Sequence, residues 1–558
     1  MANLSKTRTV FGFTSPRTIE KIIPEIAILV EKFAGQAWNF HTQEQFFDEL
    51  YNSEFYNARQ PPDNKALAAR DRITRAPKAL GFVDLNPTIR LTQAGERLLS
   101  GHRPSEVFAK QLLKFQLPSP YHKIPVERGF NIRPYLELLR MIKVLGSLSK
   151  TEIAIFFVQL IDYANFDTVK EAIENYREGI SATTLNRDVF RERVFNAELR
   201  KIFVKEIGTG NLETRESDDN SLANFLYTKR SNQTDYADAF MRYLRSTQLV
   251  TFERRTFRLI INPDRIDEVD YILTNVPRGA ETFPNEAAFK QYLFDPDAIT
   301  LLADDPAYLA ARLNKIAIAV PEGLSTEELK DFVETAEVEK TERIIQEAEG
   351  SLKEYQDFDD VMDIFQKITD KVIPAPSLFL EWNVWRGLVM INDAVRIQGN
   401  FRLDLDGMPL SVAPGNRPDI EAEYENFNLI VEVTMSSGQT QFNMEGESVP
   451  RHFGNAQRDS DIPVYCIFVA PSISKGALAH FFNLNKNHTD YYGGKTRIVP
   501  ITIEQFGILL TTGRDMGLND SSALKSFLDR IIGHNQTVVG ENAWFEYVNE
   551  SIRRWAIS

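Results

Sequence analysis

The sequence predicts a multidomain α+β chain, and three observations carry that prediction. Its 558 residues are too many for one hydrophobic core, since domains usually hold about 100–150 residues. In the N-terminal half, a helical stretch followed by two short extended runs occurs twice. Beyond residue 346, short apolar, β-branched runs alternate with helical segments, as in a mixed sheet covered by helices. The implied organisation is two helical, winged-helix-like modules (1–125 and 126–272), a helical linker (273–345) and a sheet-containing module (346–558). At 43% hydrophobic and 25% charged residues, the composition is that of an ordinary globular protein.

The first helix-and-wing unit begins at Asn64. Residues 64–80 have a helical pattern carrying Lys65, Arg70, Arg72, Arg75 and Lys78. The runs Gly81–Leu85 and Thr88–Thr92 form a strand pair closed by Asn86-Pro87. Such a unit can place side chains in a DNA major groove. Arg70 and Arg72 point to different sides of a helix, so one at most reaches a base edge.

Further helices are predicted at Leu136–Gly146 and after Ser149, where Glu152 three positions on completes a capping box. The pattern recurs at Asp235–Thr247, with Arg242 and Arg245, followed by strands over 248–252 and 257–261. Arg254 and Arg255 occupy the turn between them, where a wing tip meets backbone phosphate. The polar run 214–220 is a candidate base-reading loop through Arg215, whose fork matches guanine. Proline and acidic clusters then lead to a charged helix over Thr326–Glu349, which reads as a spacer.

The last module contains the most informative stretch. Asn428–Thr434 reads as a buried strand, and Asp419 begins the strand before it, so a hairpin brings the Asp419 and Glu432 carboxylates together. Glu432 and Thr434 are two apart and share a face. Two hard oxygen ligands on one face suit Mg²⁺, which takes one or two carboxylates plus waters and phosphate oxygens. Glu445 and His452 follow within twenty residues of Glu432. Upstream, Glu381 lies on an apolar, buried helix beside Trp382 and Trp385, where a charge needs a partner or a metal; Arg386 is the ordinary alternative partner. Together these residues have the layout of a PD-(D/E)xK-like α/β nuclease module.

Charge is divided along the chain. The net −14 separates into +4 over residues 1–270 (39 basic, 35 acidic) and −18 over 271–558 (25 basic, 43 acidic). Residues 51–150 alone carry +9 (17 basic, 8 acidic), so positive charge gathers where phosphates would be neutralised. The lone cysteine, Cys466, excludes an internal disulfide and a cysteine-cluster zinc site, and suits a reducing compartment. No stretch approaches twenty apolar residues, and the N-terminus has no apolar signal core. A cytoplasmic enzyme that meets no membrane is the expectation.

The run 413–419, then Glu432-Val433-Thr434, Thr440–Glu445 and Val449-Pro450-Arg451-His452, resembles the AlwI-type group of type IIS restriction and nicking endonucleases. The likeness extends N-terminally through Ser15-Pro16-Arg17 with Glu20-Lys21-Ile22, Arg70-Asp71-Arg72, Gly81-Phe82-Val83, Leu91–Gly95, Gln116–Ser119 and Tyr236-Ala237-Asp238. Within the group, it is most similar to members that read the asymmetric site GAGTC and cut a few bases outside it. The resemblance implies catalytic acids at Glu381, Asp419, Glu432 and Glu445, with His452 as the associated histidine. It implies Mg²⁺ on Asp419, Glu432 and Glu445, with Mn²⁺ or Ca²⁺ as substitutes. Double-stranded DNA is the implied partner, and a cognate DNA methyltransferase the genetic one, in a prokaryotic cell.

Thr434 stands where the commoner nuclease pattern has lysine, and a hydroxyl supplies no positive charge. The group shares this departure, so the water-activating residue is the open point: Glu445 or His452. A single catalytic centre cuts one strand at a time. A monomer that dimerises transiently through its cleavage module would cut both, as would one that recruits a small catalytic subunit; a strand-specific nicking enzyme, or the large subunit of a heterodimeric enzyme, is the alternative. A non-catalytic sequence-specific regulator is the reading of another class, and it predicts loss of the acids that are present here.

Overall fold

The structure is a computed structural model that describes residues 4, 7–16, 18–53, 56, 61–316, 318–320, 323–391, 393–404, 407–412, 417–517 and 521–555. Arg17 and residues 413–416, part of the segments that carry the resemblance, lie outside the described residues. Two compact units divide the chain: residues 1–50 with 62–338, and residues 51–61 with 339–558. Among the described residues, no helix is long and apolar enough to cross a membrane.

The first unit is helical, with two short antiparallel strand pairs. The helical pattern over 64–80 resolves into two helices, Lys65–Ile73 and Ala76–Ala79. Asn64 caps the first, its side chain accepting the Leu67 N–H at 2.8 Å. Pro77 has no N–H to offer the Ile73 carbonyl, which ends that helix and makes Arg75 the cap residue of the next. Val83–Asp84 then pairs with Arg90–Leu91. Asp84 is fully buried; burial alone would raise its pKa, but bonds from Arg90 (2.7 Å) and Lys290 (3.0 Å) hold it below the usual carboxylate range. Thr92 caps the following helix, Gln93–Leu99, by accepting the Gly95 N–H at 3.0 Å.

The second strand pair follows the same logic on a longer helix. Leu222–Arg245, at 24 residues, begins thirteen positions before the pattern at 235–247, and it leads into Val250–Phe252 paired with Leu259–Ile261. Ser149 and Glu152 form the expected capping box. Glu152 does more than cap: its buried carboxylate also takes Arg177 at 2.7 Å and Arg258 at 2.5 Å, joining the helix start to the wing strand. Residues 273–345 divide between the units at 338. Leu309 and Leu313 bury against Leu329, Val333 and Ala336. Arg265 and Arg312 share Glu268 and Glu337, while Lys330 reaches Glu106 at 2.8 Å. The charged helix spans Thr326–Lys353.

The second unit is built on a five-stranded mixed sheet. From one edge the order is Ile498–Thr502, Val464–Ala470, Asn428–Val433, Ile420–Glu423 and Arg396–Gly399. The first three strands are parallel and the last two pairings antiparallel. Parallel neighbours need crossovers, and the helices Gly438–Arg458 and Lys475–Lys486 supply them. Ile430, Cys466, Phe468 and Ala470 line one sheet face and bury against Val449 and Phe453 of the Gly438–Arg458 helix and Phe481 of the Lys475–Lys486 helix. The helix Pro376–Met390 is buried from Leu378 onward, with Glu381, Asn383 and Arg386 set among apolar side chains.

Gly95 tests the packing of the first wing. A Cβ there would lie 2.1 Å from the Phe82 carbonyl oxygen, so Gly95→Ala should destabilise the first unit by about 2 kcal/mol. Thermal unfolding of the full chain reads this out, and an unchanged melting temperature would contradict so close an approach.

Candidate active site

Asp419 immediately precedes the strand Ile420–Glu423, whose residue Ile420 faces Val431 across the antiparallel ladder. One further step of that register sets Asp419 opposite Glu432, so both carboxylates lie on one face of the sheet. That face is the one holding Ile430 and Phe468, and Phe468 is the parallel neighbour of Glu432. An acid therefore takes a place in a row of apolar side chains. Asp419 keeps part of its surface open to solvent, whereas Glu432 is only 5% exposed.

The backbone fixes Asp419 from two sides. The Val433 N–H donates to its Oδ2 at 2.7 Å, and the Asn400 N–H donates to its carbonyl at 2.9 Å. Burial and the neighbouring charges of Glu432 and Glu445 nevertheless push the Asp419 carboxyl well above its ordinary range. Glu432 is raised for the same reasons, burial first and then Glu445, with Arg451 opposing. Two acids that both resist ionisation on one buried face mark a place where a positive charge is wanted.

The helix Gly438–Arg458 supplies the rest. Glu445 and His452 are seven residues apart on it, which places them on the same side. His452 is buried, and its Nδ1 lies 2.7 Å from Glu432 Oε1. Burial, then the nearby Arg451, lowers the His452 pKa to about 4, so the ring is neutral near pH 7. Were a cation to hold Glu432 ionised, its oxygen could only accept, which would assign the proton to Nδ1 and leave Nε2 as an acceptor. Nε2 is buried and has no hydrogen-bond partner among the described residues.

Glu381 is buried on the separate Pro376–Met390 helix. Arg386 of that helix is bound by Asp360 at 2.7 Å and Asn383 at 3.3 Å. Thr434 ends its strand: its hydroxyl accepts the Ser436 N–H at 3.1 Å, so its oxygen serves the turn. Among the described residues, no three His, Cys, Asp or Glu side chains are gathered into a ready-made cage. What the chain offers is a facing pair of carboxylates with Glu445 in electrostatic range. That donor set fits a hard cation that keeps most of its water, as Mg²⁺ does.

Two neighbours escaped the motif, and a third, Arg451, stood in it without a role. Glu421 adds to the negative field on Glu432, Asn400 binds Glu421 at 3.1 Å and the Pro418 carbonyl at 2.8 Å, and Arg451 brings the local positive charge. Glu421 had a visible signal, because it lies two residues from Asp419 and therefore on its face. Asn400 is distant in sequence and had none.

The basic residues of the first unit separate into two sets. Arg70, Arg215, Arg254 and Arg255 are exposed, the last two in the turn between the second strand pair. Arg72 is held by buried Glu25, Arg75 by Asp71 (2.8 Å) and Thr14 (3.1 Å), and Arg242 by Asp238 (2.5 Å). Arg245 is buried with its guanidinium 4.2 Å over the Phe252 ring, and so presents no fork to the surface. Lys78 lies 4.7 Å over the Tyr121 ring, and burial lowers its pKa.

Removing one of two crowded, buried carboxylates should relieve the metal-free protein. Glu432→Gln, which keeps the shape, is expected to raise the melting temperature in chelator by several degrees, or about 1 kcal/mol. Added Mg²⁺ should stabilise the wild type and leave the variant unmoved. A variant less stable than the wild type in chelator would contradict the electrostatic crowding.

Comparison with known proteins gives a family. The model of the AlwI restriction endonuclease matches residues 78–509. No curated protein matches the chain. Among solved structures the chain is similar to the small subunit (R.BspD6I2) of the heterodimeric restriction endonuclease R.BspD6I, with 23% identity and a TM-score of 0.30, over 35% of this chain and 98% of that one. It is also similar to the BpuJ1 endonuclease binding domain, solved with pyrene- and phenanthrene-modified DNA, with 14% identity and a TM-score of 0.33, over 52% and 95% of the two chains.

Proposed function

This chain belongs to the AlwI restriction endonuclease family, and from that premise we propose that it is a type IIS enzyme that reads a short asymmetric DNA site and hydrolyses phosphodiester bonds a few bases outside it with Mg²⁺. Membership makes it a site-specific nuclease; the offset cut, the site (GAGTC on the resemblance above) and the metal are our reading. The observation that carries it is the facing pair Asp419 and Glu432, with His452 bonded to Glu432 at 2.7 Å. We read the second unit as a PD-(D/E)xK-like cleavage domain. The winged-helix-like modules 1–125 and 126–272 are the readers, and 273–345 is the spacer.

Asp419 and Glu432, with Glu445 beside them, would hold the metal. Bound there, Mg²⁺ supplies positive charge where negative charge grows on the phosphoryl oxygens. The protein's own groups do the rest. His452 Nε2, neutral and without a partner in the described structure, is placed to accept a hydrogen bond from water, or its proton, as the water oxygen attacks phosphorus and one P–O ester bond breaks. With the cation bound and Glu432 ionised, that carboxylate would accept from Nδ1 and so set the ring's tautomer before substrate arrives. Glu445 on the same helix side is the second candidate to orient that water. Thr434, engaged with Ser436, takes no part in proton transfer.

Separation of the two tasks follows from chemistry. Base edges carry sequence information and the backbone carries none, so a cleavage domain touching only backbone can act at a fixed distance from the site another module holds. Arg70, Arg215, Arg254 and Arg255 are the exposed candidates for contact with DNA. Cutting both strands requires a second catalytic domain, from another copy or a small subunit.

Plasmid cleavage with sequencing of the ends tests the whole. Ends should lie at one fixed offset from one five-base sequence and require a divalent cation. Glu432→Ala should abolish cleavage while retaining binding to the site, and His452→Ala should slow it by about 10²- to 10⁴-fold. Ends scattered without a common sequence would reject the restriction enzyme, and wild-type rates in Glu432→Ala would reject the site. Persistent open circles at high enzyme would mark a nicking enzyme.

A further inference from the structure

We propose that Asn400 is a positioning residue for cleavage: its side-chain amide fixes Asp419 opposite Glu432, at the spacing a hydrated cation requires. The proposal rests on the reading of that pair as the metal-binding centre of a nuclease. Asp419 lies just outside its strand, one step beyond the last pair of each antiparallel ladder, Gly399 with Ile420 and Ile420 with Val431. Ladders fray at such ends, and two carboxylates that face one another push the end outward. Something must hold Asp419 in register.

Asn400 does so with three hydrogen bonds to one stretch of chain. Its backbone N–H donates to the Asp419 carbonyl at 2.9 Å, which continues the ladder one residue past Gly399. Its side-chain Nδ2 donates to the Pro418 carbonyl at 2.8 Å and to Glu421 Oε2 at 3.1 Å. An amide nitrogen carries two protons, and here each has its own acceptor. A carbonyl can only accept, so turning the amide over would set oxygen against oxygen. The diagonal reach to Glu421 places the amide on the sheet face that Asp419 and Glu421 share. Residues 418, 419 and 421 are thus tied to one residue. The clamp grips backbone, and it leaves the Asp419 carboxylate to the Val433 N–H at 2.7 Å and to the cation.

The corner that presents Asn400 is itself braced. The Phe401 ring folds back over Gly399 so closely that no Cβ would fit there. The same ring packs edge-on against Trp385, with centroids 5.9 Å apart. Trp385 belongs to the Pro376–Met390 helix and lies four residues beyond Glu381, on the same side of it. Asn400 is therefore supported by the helix that carries Glu381 while it grips the segment that carries Asp419. A shift of about 1 Å in a reacting group can cost about a hundredfold in rate. A clamp between these two elements acts on kcat and on the hold for the cation, not on the grip for DNA.

Two measurements on the full chain decide the matter: cleavage kinetics on a duplex carrying its mapped site, and the melting temperature of the DNA-free protein as Mg²⁺ is added. Asn400→Ala should lower kcat by about tenfold to a hundredfold, with KM for the duplex and the cut position unchanged. In the same variant, the Mg²⁺ concentration that gives half of the full stabilisation should rise severalfold before any DNA is present. Asn400→Asp keeps the shape, donates to neither acceptor and sets a second charge against Glu421, so its kcat should fall further. Adding Glu421→Gln to Asn400→Asp returns an amide donor from the other side of the same bond, and should recover the rate at least to that of Asn400→Ala. Wild-type kcat and Mg²⁺ response in Asn400→Ala would overturn the positioning role and leave the nuclease reading in place. A loss confined to KM, or a double variant no better than Asn400→Asp, would do the same. Cleavage by Glu432→Ala at the wild-type rate would instead remove the centre itself, and Asn400 would have nothing to position.

Discussion

The antiparallel pairing of Ile420–Glu423 with Asn428–Val433 is the constraint on which the proposed site of the second unit depends. That register, and no other, sets Asp419 against Glu432. A slip of one residue would turn one carboxylate to the opposite face of the sheet. The strand can hold an acid on its buried face because its flanking pairings are secure. Val464–Ala470 is buried along its whole length and pairs in parallel with Asn428–Val433 through six residue pairs. The apolar cluster around Ile430 and Phe468 then brings the Gly438–Arg458 helix down on that face, which is how His452 comes within 2.7 Å of Glu432. Packing of ordinary apolar residues thus positions groups that by themselves repel one another.

The first unit uses charge in the opposite way. Its buried acids are neutralised within the fold: Asp84 by Arg90 and Lys290, Glu137 by Arg278, Glu152 by Arg177 and Arg258. Removing one partner from such a set leaves an unpaired buried charge, and that costs more than the pair contributes. These networks join segments far apart in the chain, so they specify which helix meets which strand pair. In the second unit, Asp419 and Glu432 share one buried face with His452 and the field of Arg451 as their positive or polar neighbours. The contrast between satisfied and crowded carboxylates separates structural ion pairs from the proposed site.

Much of this was legible in the sequence, for a physical reason. Hydrophobic periodicity and short-range chemistry act over a few residues, so the strand at 428–433, the capping box at Ser149 and Glu152, and the strand pair after Gly81 could be read directly. Asp419 and Glu432 belong to one hairpin, and a hairpin's register is local; their juxtaposition was therefore also readable. The break at Pro77 has a local cause as well, the missing N–H, even though the pattern over 64–80 reads as one helix.

What only the tertiary structure decided is where each long side chain finds its partner. Arg70 and Arg245 are chemically alike and both lie on helices before a strand pair, yet one is exposed and the other is buried over Phe252. Glu25 finds Arg72 from 47 positions away, and Asn400 reaches Glu421 from 21. A guanidinium's surroundings are set by whichever segments fold against it, and those contacts close loops whose ends carry no signal of one another. The sequence by itself determined the elements, the family and the acidic pair. Burial, ion-pair assignment and the unpartnered Nε2 of His452 came only with the folded chain, because desolvation and long-range pairing are properties of an assembled interior.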